Sequence, residues 1–137
     1  MDQSGLMTFQ FAQTEAEQFL VRFHRDFPGC TPTAFAESRT ETGESSYDLL
    51  VGVVPLGARV LDLGCGDGFL LESCVQRGHD PDHLIGVDLS ADELALAAQR
   101  PLLSEVTLHH GHAHAAPVSD HSIDVVLCHM TLMLLGP

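Results

Sequence analysis

Residues 60–68 read Val-Leu-Asp-Leu-Gly-Cys-Gly-Asp-Gly. An apolar run, 60–63, leads into Gly64, Gly66 and Gly68, and a helix-like segment over 68–77 follows at once. Glycines at this spacing let the backbone take positive φ and come close to a bound molecule. The turn also aims N–H groups at a helix start toward whatever is bound there. Strand, glycine turn and helix together constrain the chain to an α/β unit with a nucleotide-type cofactor site at its leading edge.

The kind of cofactor follows from what the turn lacks. A dinucleotide fingerprint counted from Gly64 requires a third glycine where Phe69 stands, and counted from Gly66 it requires one at Leu71. A phosphate loop requires Gly-Lys-Ser/Thr, and no lysine is present here. Two carboxylates, Asp62 and Asp67, flank or enter the turn instead. They suit a cationic ligand better than a pyrophosphate.

Elsewhere the pattern alternates. Thr14 and Glu17 have capping-box form ahead of Phe19, Leu20, Phe23 and Phe27 at helical spacing, which predicts a helix over 14–26. A loop with a short helix near 32–37 should follow, then a helix over 46–54 stopped by Pro55. Strands are expected at 59–63, 84–88, 106–110 and 123–128. The helices between them should be 68–77, with Gly78 as its cap, and one begun by a Ser90–Glu93 capping box and ended before Pro101. Alternation of this kind gives a parallel, doubly wound sheet.

Val60–Gly68 resembles the first motif of the class I S-adenosylmethionine-dependent methyltransferases. Ile85-Gly86-Val87-Asp88-Leu89-Ser90 is similar to the second, Gly111-His112-Ala113 with Ala116-Pro117 to the third, and Ser122 to His129 to the fourth. The resemblance covers roughly residues 45–135. It implies an α/β, Rossmann-like sheet of order 3-2-1-4, with residues 1–57 an N-terminal helical segment or lid and 58–137 the S-adenosylmethionine-binding core. It implies methyl transfer to an acceptor, with S-adenosylhomocysteine as product. The same resemblance gives residue roles. Gly64, Cys65, Gly66 and Gly68 would hold the amino-acid part of the cofactor, with Asp62 facing its amine. Asp88 would hold the ribose, and Leu89, His112 and Ala113 the adenine. The Cys128 carbonyl would meet the ammonium, and His129 would be the candidate general base. The family often has an acidic residue where His112 stands, so that contact becomes pH-sensitive. Arg39 is a candidate partner for the cofactor carboxylate and Tyr47 for closing the pocket.

His109, His110, His112 and His114 form a dense cluster, but Gly111 should end the strand and scatter them, so no metal site is expected. A net charge of −13 weighs against a nucleic-acid acceptor and favours a small molecule. The four dispersed cysteines read as free thiols, the start Met1-Asp2-Gln3-Ser4 is no signal peptide, and no long apolar run spans a membrane. The expected location is the cytoplasm. The apolar fourth strand should form a sheet edge that pairs with a second copy or a missing C-terminal half, and the chain is expected to be a fragment of a longer protein. The alternative function is a non-catalytic S-adenosylmethionine-binding or assembly module that pairs through that edge.

Overall fold

The computed structural model describes residues 13–135; the polar start Met1-Asp2-Gln3-Ser4 lies outside the described residues. The elements in chain order are α1 (Glu15–Asp26), α2 (Cys30–Phe35), α3 (Ser46–Gly52), β1 (Val60–Leu63), α4 (Phe69–Gln76), β2 (Leu84–Asp88), α5 (Ala91–Ala98), β3 (Thr107–His110) and β4 (Val125–Leu127). All strand pairs are parallel and the order is β3-β2-β1-β4, as the sequence predicts. Val60 pairs with both Leu84 and Val125, which makes β1 the central strand. The chain steps from β1 outward to β3, then returns to the other side of β1. That reversal lies between β1 and β4, and ligands of such sheets bind at the carboxyl ends beside it.

Helix starts follow the capping residues. Thr14 Oγ1 accepts the Glu17 N–H at 3.2 Å, and Glu17 Oε2 accepts the Thr14 N–H at 2.7 Å. In α3 the cap is Ser45, paired reciprocally with Asp48. The expected box at Ser90 is only half formed. Ser90 Oγ accepts the Glu93 N–H at 3.2 Å, but the Ser90 N–H donates to Asp88 Oδ1 at 2.8 Å. Asp88 takes the donor that Glu93 would otherwise have held, and this frees the Glu93 carboxylate for other contacts.

The core joins Val51, Leu71, Cys74 and Leu84 to Leu94, Ala97, Leu103 and Val106. Gly86, in the middle of β2, lies where a Cβ would press on Cys65 Sγ and Leu71 Cδ1, both at 2.8 Å. A glycine there lets the turn pack against the strand. The apolar spacing of α1 has a different use from core packing. Phe19 and Phe27 are exposed and stack along the helix with Phe23, while Leu20 and Val21 face the cleft described below. β4 is shorter than expected and edges the described sheet, with Val126 55% exposed. Among the described residues no helix is long and apolar enough to cross a membrane.

Candidate cofactor site

The strand ends converge on one cleft. β1 delivers Asp62 and the turn Gly64-Cys65-Gly66; β2 delivers Asp88 and Leu89; the segment after β3 delivers Gly111, His112 and Ala113; the segment after β4 delivers His129. α1 closes over it with Glu17, Leu20, Val21 and His24, and α3 contributes Tyr47. Gly68 and Cys128 do not line the cleft. A Cβ on Gly68 would meet Leu103 Cδ1 at 2.5 Å and Ala97 at 3.1 Å, so this glycine lets the helix start pack on α5 and the turn after it.

The turn is built by long-range bonds. The N–H groups of Gly64 and Cys65 both donate to the Val87 carbonyl, at 2.8 and 3.1 Å. Arg100 then clamps it from outside. Its Nε donates to the Asp67 carbonyl at 2.6 Å, its Nη2 to Asp67 Oδ2 at 2.8 Å and its Nη1 to Glu72 at 2.9 Å. Asp67 is therefore committed to holding the turn. Thr131 presses on Gly64 so closely that a Cβ there would collide with it. Gly66 differs: it has φ +54, and its Cβ direction meets only Glu93 Oε2, at 3.7 Å, leaving a cradle open to a ligand.

Three carboxylates face this cradle. Asp62 is 1% exposed, and its Oδ1 has no hydrogen-bond partner. Burial, with the Asp88 charge second, pushes its carboxyl up to about 7. Asp88 accepts the Gly66 N–H and the Ser90 N–H, each at 2.8 Å, so its oxygens are fixed in direction. Burial raises its carboxyl above the usual range despite those two bonds. Glu93, 3% exposed, accepts the Gly29 N–H at 3.1 Å and lies 3.4 Å from His24 Nδ1. The Glu93 hydrogen bond raises the His24 pKa against the effect of burial. A second pair, Glu17 with His112 Nδ1 at 2.9 Å, ties the other end of α1 to the segment after β3.

His129 stacks on Tyr47 at 4.2 Å, and its Nε2 is 2.8 Å from Ser46 Oγ. Burial lowers its pKa, which favours the neutral ring. Tyr47 is 4% exposed, with its phenol pushed up to about 12 mainly by burial. Arg39 does not reach the cleft. It pairs with Asp48, the carboxylate of the α3 capping box, at 2.8 Å. β3 stops at His110, and the histidines beyond it diverge: His110 Nε2 meets the Leu89 carbonyl at 2.9 Å while His112 and His114 line the cleft. Among the described residues no group of three or more His, Cys, Asp or Glu could hold a metal ion. The α1 contacts, Arg100 and Ser46 carry no short-range signal. The half-formed box at Ser90 was the one sequence feature from which Glu93 could have been found.

Residues 60–137 match a family model described as a methyltransferase domain. The chain belongs to that family. A ubiquinone biosynthesis O-methyltransferase of Hahella chejuensis is 37% identical to this methyltransferase domain over 75 residues, which are 53% of this chain and 30% of that protein. A bifunctional methionine biosynthesis protein MetXA/MetW of Rhodopirellula baltica is 32% identical over 90 residues, 61% of this chain and 14% of that protein. The crystal structure of an S-adenosylmethionine-dependent methyltransferase from Thiobacillus denitrificans, in complex with S-adenosylhomocysteine, superposes with a TM-score of 0.54 at 26% identity. That match covers 80% of this chain and 46% of the other. The methyltransferase domain thus spans under half the length of these relatives.

Proposed function

We propose that the chain binds S-adenosylmethionine in this cleft and forms the cofactor-binding part of a methyltransferase acting on a small molecule. The observation that carries the reading is Asp62 Oδ1, a buried carboxyl oxygen with no hydrogen-bond partner, in the cleft at the strand ends. Such an atom calls for a donor, and a bound ligand can bring one. The ammonium of S-adenosylmethionine is a donor of the right charge. The Gly66 cradle fits its amino-acid part, and the oriented Asp88 oxygens fit the ribose hydroxyls. Leu89, His112 and Ala113 wall the side where the adenine would lie.

When bound, the cofactor supplies a methyl group on a sulfonium. The chain's own residues align and desolvate it, and that alone accounts for much of such a barrier. His129 is the candidate base. In the tautomer whose Nε2–H donates to Ser46 Oγ, Nδ1 carries the lone pair that takes the acceptor's proton. Tyr47 and Phe69, whose centroids lie 4.7 Å apart, add a ring-lined wall beside it. That wall suits a flat apolar acceptor with an ionisable hydroxyl, in keeping with the O-methyltransferase named among the relatives. Within the N-terminal segment, α1 and α3 are the elements closing over the site, and the free thiols suit a reducing cytoplasm. The exposed β4 edge is the surface for a second copy or further chain.

Titration of the folded chain with S-adenosylmethionine and S-adenosylhomocysteine tests the cofactor reading; saturable binding of both is expected, and none would end it. Asp88→Ala should weaken that binding by about 1–3 kcal/mol, the usual loss for hydrogen bonds to a charged group. Unchanged affinity would remove Asp88 from the ribose. His129→Gln should slow methyl transfer to a phenolic acceptor by roughly 10²–10⁴-fold and leave S-adenosylhomocysteine affinity unchanged. An unaltered rate would make His129 a packing residue only.

A further inference from the structure

α1 brings a carboxylate to the wall that Leu89, Gly111, His112 and Ala113 form. Glu17 lines the cleft with them and is held at both oxygens. Its Oε2 accepts the Thr14 N–H at 2.7 Å, and its Oε1 lies 2.9 Å from His112 Nδ1. An ionised carboxylate has about four lone-pair sites, so each oxygen retains acceptor capacity while its direction is fixed. The Glu17 and His112 side chains are 21% and 19% exposed, which sets the pair within the cleft rather than on a solvated face. Three backbone carbonyls around the same wall are already engaged. The Gly111 N–H donates to the Asp88 carbonyl at 2.9 Å, His110 Nε2 meets the Leu89 carbonyl at 2.9 Å, and the Ala115 N–H donates to the His112 carbonyl at 3.1 Å. A base lying against Leu89 and Ala113 with a hydrogen-bond donor on its edge therefore finds an oriented acceptor in Glu17.

Resting on the cofactor reading above, we propose that Glu17 is the residue that selects the base: its carboxylate, held by Thr14 and His112, accepts the exocyclic amino group of the adenine. A purine with a carbonyl in that place turns an acceptor toward the carboxylate. Two acceptors then face each other with no proton between them, which costs more than a missing bond. The site takes 6-aminopurine ligands and rejects 6-oxopurine ones. The selecting residue comes from α1, the helix that closes the cleft, and not from the sheet that carries the rest of the site.

Calorimetry of the full chain tests this with two probes that differ only at the base edge. S-adenosylhomocysteine carries the amino group, and S-inosylhomocysteine carries a carbonyl in its place. The wild-type chain should bind the first about 10–100-fold more tightly, the worth of one hydrogen bond to a charged group. Glu17→Gln keeps the helix start, because a capping box takes either residue, and its amide can donate to a carbonyl. In that variant S-adenosylhomocysteine should bind about tenfold more weakly and S-inosylhomocysteine more tightly, so the preference shrinks by about tenfold or more. Equal affinity of the wild-type chain for the two probes overturns the proposal and leaves the cofactor reading standing. So does a Glu17→Gln variant that loses affinity for both by the same factor, since the carboxylate then only fastens α1. No binding of either probe by the folded wild-type chain overturns both readings.

Discussion

Asp62→Asn should make the ligand-free protein more stable at pH 8 and about 1–2 kcal/mol less stable at pH 4, where only the cost of the unpartnered amide remains. The carboxyl titrates at about 7 in the fold against an ordinary 3.8, so between those values the folded state holds a proton that the unfolded chain has lost. Stability is then fully present below pH 4, falls as pH rises toward 7 and is flat above it. A shift of about three units corresponds to roughly 4 kcal/mol at most. The amide of Asn also lacks partners at this site, so a net gain of about 2–3 kcal/mol at pH 8 is the expected result. Urea unfolding of both proteins at the two pH values measures it. Equal pH dependence in wild type and variant would show that Asp62 is ionised and partnered in solution. The gain should come with weaker S-adenosylhomocysteine binding. A residue that destabilises the empty fold and serves only when a ligand arrives is retained for binding.

What the sequence made legible is what short-range pattern encodes. The four strands, the glycine turn and the Thr14 cap follow from spacing within a dozen residues, the strand order from the family resemblance, and the structure has them where expected. The misreadings share a cause. Ser90 and Glu93 carry the signal of a complete box, but Asp88 lies two residues upstream and competes for the same N–H. Arg39 carries a free charge in sequence, yet Asp48 takes it on folding. Periodicity along α1 says that one face is apolar but not which wall it meets, and the phenylalanines stay outside while Leu20, Val21 and His24 turn inward. Arg100 is 33 residues from Asp67, and no local rule links them. Such pairs depend on how the crossovers stack, a property of the assembled sheet.

The three glycines of the turn look equivalent in sequence and should separate on mutation. Gly68→Ala places a methyl group 2.5 Å from Leu103 Cδ1 and 3.1 Å from the Ala97 Cβ, at a backbone φ of +83. The left-handed conformation costs an alanine about 1–2 kcal/mol and overpacking about 1–3 more. A loss of roughly 2–5 kcal/mol in unfolding free energy is expected, with S-adenosylhomocysteine affinity retained by whatever remains folded. Gly66→Ala meets no atom nearer than Glu93 Oε2 at 3.7 Å, so its cost to the fold is the backbone term alone. The new methyl group points into the space the ligand needs, and binding should fall at least tenfold while the protein stays folded. Denaturant unfolding and calorimetric titration of the two variants side by side decide the matter. Should Gly66→Ala bind normally, the turn is a packing device throughout and the ligand lies elsewhere along the strand ends. Should Gly68→Ala lose binding without losing stability, the whole turn moves with its ligand. The expected split, stability at one glycine and affinity at its neighbour, follows from what each missing Cβ would touch.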